Sequence, residues 1–351
     1  MEQLCINGEA VSALNLQQWR QGKSGILADV AAFLEEWYAP TDYMQLHTSG
    51  STGTPKTIHA AKAAMRASAA ATCRFFDLQA GNRALLCLPM RYIAGKMMVV
   101  RALVAGLELL VTEPSSTPFA ALEQEVDFAP IVPMQALTTL QQPNGYAQLG
   151  KARILLLGGG FVDPALEAAL QACRAPIYAS YGMTETLSHI ALRRVNGAER
   201  TGLYTPLPGV RLGISPAGTL TVSAPFLGIE HLATNDLAEI SPNGALRLLG
   251  RADSVINSGG IKIQAEALEQ QLAAATGLQV LVLPVPHPVL GQAIGLLWEG
   301  AADKEPLLQQ AVASLPKYHK PLRIRHLALP KTPTGKPDRK AALAFLVDKQ
   351  A

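Results

Sequence analysis

The sequence predicts an α/β protein. A large N-terminal domain with a mainly parallel sheet carries a small β-barrel subdomain, and a smaller α+β C-terminal domain follows. Three observations predict this. Between residues 42 and 180, short apolar runs alternate with helix-length segments, the rhythm of parallel strands joined by helical crossovers. Residues 201–249 then become rich in Gly, Pro and Thr around short strand-like pieces, the texture of a small antiparallel sheet or barrel. The last hundred or so residues return to α/β texture. The expected domains are therefore 1–250, with its β-rich part at 201–250, and 251–351, divided at Gly250–Asp253.

Taken in order, residues 1–40 are polar and weakly patterned, with one helix expected near Ile26–Trp37. Tyr43–Thr48 reads as a strand leading into a glycine-rich stretch, and the Ala-rich His59–Leu78 as a helix. Arg83–Leu88 and Leu107–Thr112 read as strands around a helix at Tyr92–Gly106. Asp127–Val132, Arg153–Leu157 and Pro176–Ser180 are further strands, with Pro164–Arg174 helical between the last two. Val210–Ile214, Thr219–Val222 and Leu246–Leu249 supply the β-rich part. A helix at Ala265–Ala275 and strands at Val280–Pro284 and Ile294–Trp298 follow.

At 351 residues, 49% hydrophobic and 16% charged, the chain has ample material for ordered cores. A net charge of +3 without any Lys/Arg run gives no footprint for nucleic acid. The four cysteines, Cys5, Cys73, Cys87 and Cys173, form no CxxC pair, which suits reduced thiols in a cytoplasmic protein. Met1-Glu2-Gln3 opens without a basic region followed by an apolar core, so no signal peptide is expected. The most apolar stretch, Val280–Trp298, is interrupted by Pro284, Pro286, His287 and Pro288, so no membrane span is expected.

Four segments carry the chemistry. Residues 48–56, Thr-Ser-Gly-Ser-Thr-Gly-Thr-Pro-Lys, combine closely spaced glycines, hydroxyls and Lys56, so that backbone N–H groups can turn toward an anion. Pro55 before Lys56 distinguishes the stretch from a Walker A loop. Tyr181-Gly182-Met183-Thr184-Glu185-Thr186 follows a strand, where open α/β sheets bind ligands, and offers a ring, a hydroxyl and a carboxylate. Asp236 is followed by Gly250-Arg251-Ala252-Asp253 and by Asn257-Ser258-Gly259-Gly260, an acid and an arginine suited to a sugar or a phosphate. Lys336 lies in Pro333-Thr334-Gly335-Lys336-Pro337-Asp338-Arg339-Lys340, a turn-rich loop able to deliver a point charge. Singly, each has a plainer reading: a flexible loop, a strand-to-loop turn, a turn aspartate with a surface ion pair, a solvated lysine.

In this order the four segments resemble the AMP-forming adenylating superfamily of acyl-CoA synthetases, carrier-loading adenylation domains and luciferases, from about Leu46 to Leu343. The resemblance implies ATP, Mg²⁺ and CoA as cofactor and co-substrates. Thr48, Ser49, Gly50, Ser51, Thr52, Gly53 and Lys56 would close over the β- and γ-phosphates. Gly158, Gly159 and Gly160 would line the adenine pocket, with Tyr181 and Gly182 beside the purine. Thr184 would contact the α-phosphate and Glu185 would hold the metal. Asp236 and Arg251 would bind the ribose, and Asp253 would be the hinge of a mobile C-terminal lid. Lys336 would approach the reacting carboxylate, and Ser258, Gly259 and Gly260 would face the pantetheine of CoA. Because the phosphate stretch begins at Thr48, much of the family's N-terminal subdomain is expected to be absent or minimal, with a homodimer as one compensation.

Leu88–Met98 is similar to the acyl-pocket segment of o-succinylbenzoate–CoA ligases of menaquinone synthesis, especially their short forms. Such a small-molecule acid has two carboxylates. One is activated, so the other needs a cation or donors, with Arg91, Lys96, Ser188 and His189 as candidates. Lys96 reads equally as a solvated helix-face lysine, and Met97 and Met98 read as core. Another small acid, or a carrier protein as acceptor, would use the same segments. A non-catalytic nucleotide-binding relative would be expected to lack Lys56, Asp236 or Lys336.

Overall fold

The computed structural model describes residues 2–47, 57–332 and 337–347. Its first strands already add to the sequence expectation. β1 (Gln3–Ile6) and β2 (Glu9–Ser12) form a hairpin within the stretch read as weakly patterned. Asn7 and Gly8 turn it, with φ of 49° and 81°, the two positive values a tight type I′ hairpin needs. β3 (Tyr43–His47) pairs antiparallel with β4 (Thr57–Ala61) in a separate two-stranded ribbon, His47 opposite Thr57. The helix expected from His59 therefore begins later, as α3. Pairing with β3 overrides the alanine content of the segment's first residues.

The main sheet adds β5 (Arg83–Leu86), β6 (Glu108–Val111), β7 (Val126–Ile131), β8 (Ala152–Leu157), β9 (Ile177–Gly182), β10 (His189–Arg194) and β11 (Thr205–Pro206). Its order is β11-β10-β9-β8-β7-β5-β6-β1-β2. It is parallel from β1 across to β9 and antiparallel at both edges. The helices are α1 (Leu16–Trp19), α2 (Gly25–Tyr38), α3 (Lys62–Phe75), α4 (Ile93–Ala105), α5 (Pro133–Leu140), α6 (Gly145–Leu149) and α7 (Pro164–Leu170). Alternate residues of β8 show how they are used. Ile154 and Leu156 join one core with Leu34 of α2, Met65 of α3 and Met98 of α4. Leu155 and Leu157 join another with Ala136 of α5, Leu149 of α6 and Leu166 of α7. Covered faces on both sides explain why these strands read as continuous apolar runs.

Residues 201–250 supply β12 (Arg211–Ile214), β13 (Thr219–Ala224), β14 (Ile229–Ile240) and β15 (Leu246–Arg251), an antiparallel sheet in that order. The last segment supplies β16 (Val255–Ser258), β17 (Ile261–Gln264), α8 (Ala265–Thr276), β18 (Gln279–His287), β19 (Gly291–Glu299), α9 (Glu305–Ala313), β20 (Arg323–His326) and α10 (Arg339–Leu343). Here β17-β16-β19-β18 are antiparallel neighbours and β20 lies parallel to β19. Pro284 and Pro286 are accommodated because β18 is an edge strand. Two hydrophobic clusters in this segment draw only on residues from Ile256 to Leu346. Among the described residues, no helix is long and apolar enough to cross a membrane.

Candidate active site

The carboxyl ends of β8 and β9 are adjacent, with Leu157 beside Ala179 in parallel register. That register brings Gly158–Gly160 next to the Tyr181 segment. Gly158 donates its N–H to Ile131 O at 3.0 Å, and Ser180 Oγ donates to Leu157 O at 3.0 Å. Gly159 takes φ +74°, which only glycine adopts without cost. The chain then turns from β9 into β10 through a 3₁₀ turn at Thr184–Thr186. Thr186 is fully buried and accepts the Met183 N–H at 2.9 Å, which fixes the turn from within. Gly182 allows the return: a Cβ there would lie 2.3 Å from Ser188 O. Thr184 is half-buried and Glu185 exposed, both on the outer side of this turn.

Tyr181 donates its hydroxyl to Asp236 Oδ2 at 2.6 Å. Burial first, and then the neighbouring Asp236, raise the Tyr181 pKa, so the phenol stays protonated. Asp236 on β14 and Arg251 on β15 are cross-strand partners, and Arg251 Nη1 donates to Asp236 Oδ1 at 3.5 Å. Arg251 also grips Asp253 through Nε–Oδ1 and Nη2–Oδ2 bonds, each 2.8 Å. This bidentate pair holds the Asp253 carboxyl below its ordinary range and raises the Arg251 pKa. Residues far apart in the sequence thus form one line: Tyr181, Asp236, Arg251, Asp253.

A second line lies under the β9–β10 turn and contains a residue that the sequence reading passed over. Arg101 on α4 is buried, and its Nη2 donates to Ser188 Oγ at 2.5 Å. Ser188 Oγ lies 3.3 Å from His189 Nδ1, and His189 Nε2 lies 3.1 Å from Thr72 Oγ1. Thr72 in turn donates to Ser68 O at 3.2 Å. One consistent set of protons runs from Arg101 to Ser188 to His189 to Thr72. It requires a neutral imidazole with its proton on Nε2. Burial, with Arg101 nearby, depresses the His189 pKa in agreement. Among the described residues Arg101 meets no carboxylate; its Nη1 lies 3.5 Å from Met98 Sδ and its buried Nε has no partner. Burial brings the guanidinium pKa down to about 10. The signal was a lone cation within the apolar run from Met97 to Val104.

Ser188 and His189 are therefore assembled together, whereas Arg91 and Lys96 are not with them. Arg91 is exposed and stacks over Tyr92, with 4.8 Å from guanidinium to ring centroid. Lys96 donates to Gln45 O at 3.3 Å, against β3. Met97 and Met98 are fully buried. Ser258 is buried where β16 meets β19, and Gly259 and Gly260 turn the β16–β17 hairpin with φ of 60° and 88°. Thr48, Ser49, Gly50, Ser51, Thr52, Gly53, Lys56 and Lys336 lie outside the described residues. Among the described residues no cluster of three or more His, Cys, Asp or Glu could hold a metal by itself. The exposed Glu185 offers a single hard oxygen donor group, which suits a magnesium ion carried mainly by water and phosphate.

A covered, largely parallel sheet with a glycine turn and an aromatic ring at its strand ends, met there by an acid and an arginine from the neighbouring antiparallel sheet, defines a class: an α/β enzyme that binds a nucleotide. The family model described as AMP-binding enzyme matches residues 3–220, and the chain belongs to that family. The 2-succinylbenzoate–CoA ligase of Lactococcus lactis subsp. lactis (strain IL1403) is 27% identical over 278 residues, covering 73% of this chain. The chain spans only 60% of that relative's length. A crystal structure of an acyl-CoA synthetase (AMP-forming)/AMP-acid ligase II-like protein from Dyadobacter fermentans DSM 18053 is 37% identical, with a TM-score of 0.65. It covers 96% of this chain and 99% of its own. An o-succinylbenzoate coenzyme A synthetase from Bacillus subtilis, solved with ATP and magnesium ion, shares the fold. Its TM-score is 0.70 at 22% identity, over 85% of this chain and 69% of its own.

Proposed function

We propose that the protein is an AMP-forming acid–thiol ligase that activates 2-succinylbenzoate with ATP and transfers the acyl group to CoA. The observation that carries the choice of acid is Arg101, a buried cation that meets no carboxylate among the described residues, set under the turn that follows Tyr181. An acid with two carboxylates supplies one to react and one to pair with that cation. The relatives named 2-succinylbenzoate–CoA ligases support the same reading.

In the first step a carboxylate oxygen attacks the α-phosphorus, the bond to the β-phosphate bridge oxygen breaks, and pyrophosphate leaves. In the second, the CoA sulfur attacks the acyl carbon, its proton is lost, and AMP leaves. Two anions meet in the first step, so aligned donors and cations are required. Tyr181 and Gly158–Gly160 would hold the adenine, Asp236 and Arg251 the ribose, and Thr184 the α-phosphate. The stretch Thr48–Lys56 would hold the outer phosphates, and Lys336 would stabilise the carboxylate and phosphate oxygens. Glu185 would hold Mg²⁺, which when bound neutralises phosphate charge. Ser258–Gly260 would line the CoA path. The residues after Asp253 would form the moving lid, and residues 201–250 the barrel-like subdomain. ATP and CoA are cytoplasmic metabolites, and we place the reaction there.

The experiment is pyrophosphate release with ATP and Mg²⁺ across a panel of carboxylic acids, followed by detection of the CoA thioester. A strong preference for 2-succinylbenzoate is expected. Turnover of monocarboxylic acids alone would retain the ligase chemistry and reject the substrate. Release with no acid in a broad panel would reject both.

A further inference from the structure

Arg251 is gripped on both of its backbone groups. Its N–H donates to Glu266 Oε2 at 3.1 Å, and its carbonyl accepts from Gln264 Nε2 at 3.0 Å. Both partners sit where β17 passes into α8, beyond Asp253 in the chain. Glu266 Oε1 also accepts from Ser254 Oγ at 3.0 Å, so one carboxylate holds a residue on each side of Asp253. Gly250 leaves room for the grip. Its φ is +121°, and a Cβ there would lie 2.1 Å from Gln264 Nε2 and 2.9 Å from Glu266 Oε2. Behind the grip, Arg339 Nη2 lies 2.7 Å from Glu269 Oε2 and 3.9 Å from Glu266 Oε1. The Arg251 side chain meanwhile faces Asp236 and Asp253. The hinge residue's neighbours are thus tied to α8 by the main chain and to β14 by a side chain.

The orientation held in this way brings the last segment against the nucleotide side of the sheet. A gap of about 140 Å³ has Pro133, Met134 and Asp163 on one wall and Gln279, Lys331 and Pro337 on the other. Gly160 of the glycine turn lies beside the same Pro133: a Cβ there would be 3.5 Å from its ring. Rotation about Asp253 would carry Gln264 and Glu266 away from Arg251, so both bonds must break before the lid can turn.

Resting on the ligase reading, we propose that Gln264 and Glu266 form a latch across the hinge. The latch holds the orientation that serves acid activation, and it opens before thiol attack. Each bond contributes on the order of 1 kcal/mol, about fivefold in an opening equilibrium, so the latch biases the two orientations without locking either.

The test uses the full chain with Gln264→Ala, Glu266→Gln and, as an independent approach, Gly250→Ala, which fills the space that the latch occupies and removes no donor or charge. Hydrogen exchange of the ligand-free proteins should show residues 250–254 exchanging about fivefold faster in all three. With ATP, Mg²⁺ and 2-succinylbenzoate, pyrophosphate release should fall about tenfold, as expected when reacting groups are displaced. Transfer to CoA from preformed 2-succinylbenzoyl-adenylate should not fall. Unchanged exchange at 250–254, or an equal fall in both half-reactions, would overturn the latch. If the wild-type protein releases no pyrophosphate with this acid, the proposed substrate fails and the exchange result alone decides the latch.

Discussion

At the scale of single residues, the site is organised by how its polar groups pair with one another. Asp236 uses one oxygen for the Tyr181 hydroxyl and the other for Arg251. Tyr181→Phe keeps the ring and removes one bond to the carboxylate. The expected loss of folding stability is about 1–2 kcal/mol, measured by urea denaturation, with the Arg251 contact remaining. A loss near zero would mean that water replaces the phenol at no cost. The Tyr181 segment was legible from its position after a strand, because ring, hydroxyl and acid fall together in six residues. Arg101 was not, because the segment similar to an acyl pocket ended at Met98, and this cation follows three residues later within a largely buried helix. Lys96 points elsewhere because α4 spreads its residues around its axis, and Arg91 precedes the helix and stacks on Tyr92.

At the scale of elements, the strands of the main sheet were legible because covered faces leave continuous apolar runs, as in β8. Phe128 on β7 packs centrally against Phe76, with ring centroids 5.2 Å apart, and is fully buried. Phe128→Ala should cost about 3–5 kcal/mol, read from the chemical denaturation midpoint. The first hairpin was equally available: Asn7-Gly8 between Ile6 and Glu9 is a strong local turn signal, masked by the polar character of its surroundings. The ribbon of β3 and β4 was harder, since its partners are separated by nine residues and alanine-rich sequence favours helix.

Helix α8 supplies a pH-dependent element. Burial pushes the Glu269 carboxyl up to about 7, against the pull of Arg339 and the Val282 N–H. The folded state therefore holds its proton more tightly than the unfolded chain does. Stability from this group is fully present below about pH 4.5, the unfolded value, and is lost as pH rises through about 7. Glu269→Gln should remove this component. Its melting temperature should change less between pH 5 and 8 than that of the wild type, as measured by scanning calorimetry. An unchanged pH profile would show that Arg339 keeps the carboxylate charged throughout.

At the scale of the whole molecule, the sequence shows a change of texture near Gly250, and the hydrophobic clusters are divided at the same place. Those of the last segment contain only residues from Ile256 to Leu346. An isolated 251–351 fragment should therefore melt cooperatively and give dispersed amide resonances; a collapsed, non-cooperative fragment would show that its core depends on the preceding segment. What the sequence could not convey was how the two parts meet. That depends on side chains such as Gln264 and Glu266, whose partners lie across a bend and leave no periodic trace.

The arginine under the β9–β10 turn also has a thermodynamic consequence. A desolvated guanidinium that, among the described residues, meets a hydroxyl and a thioether but no carboxylate places the ligand-free protein under a standing penalty. A ligand that supplies the missing anion relieves the penalty, so recognition and heat resistance become linked quantities. Between 2-succinylbenzoate and its ester at the non-reacting carboxylate, the diacid should raise the melting temperature and the ester should not. Arg101→Met should resist heating better when empty and lose the distinction between the two. The protein would then select its substrate partly by being less stable without it.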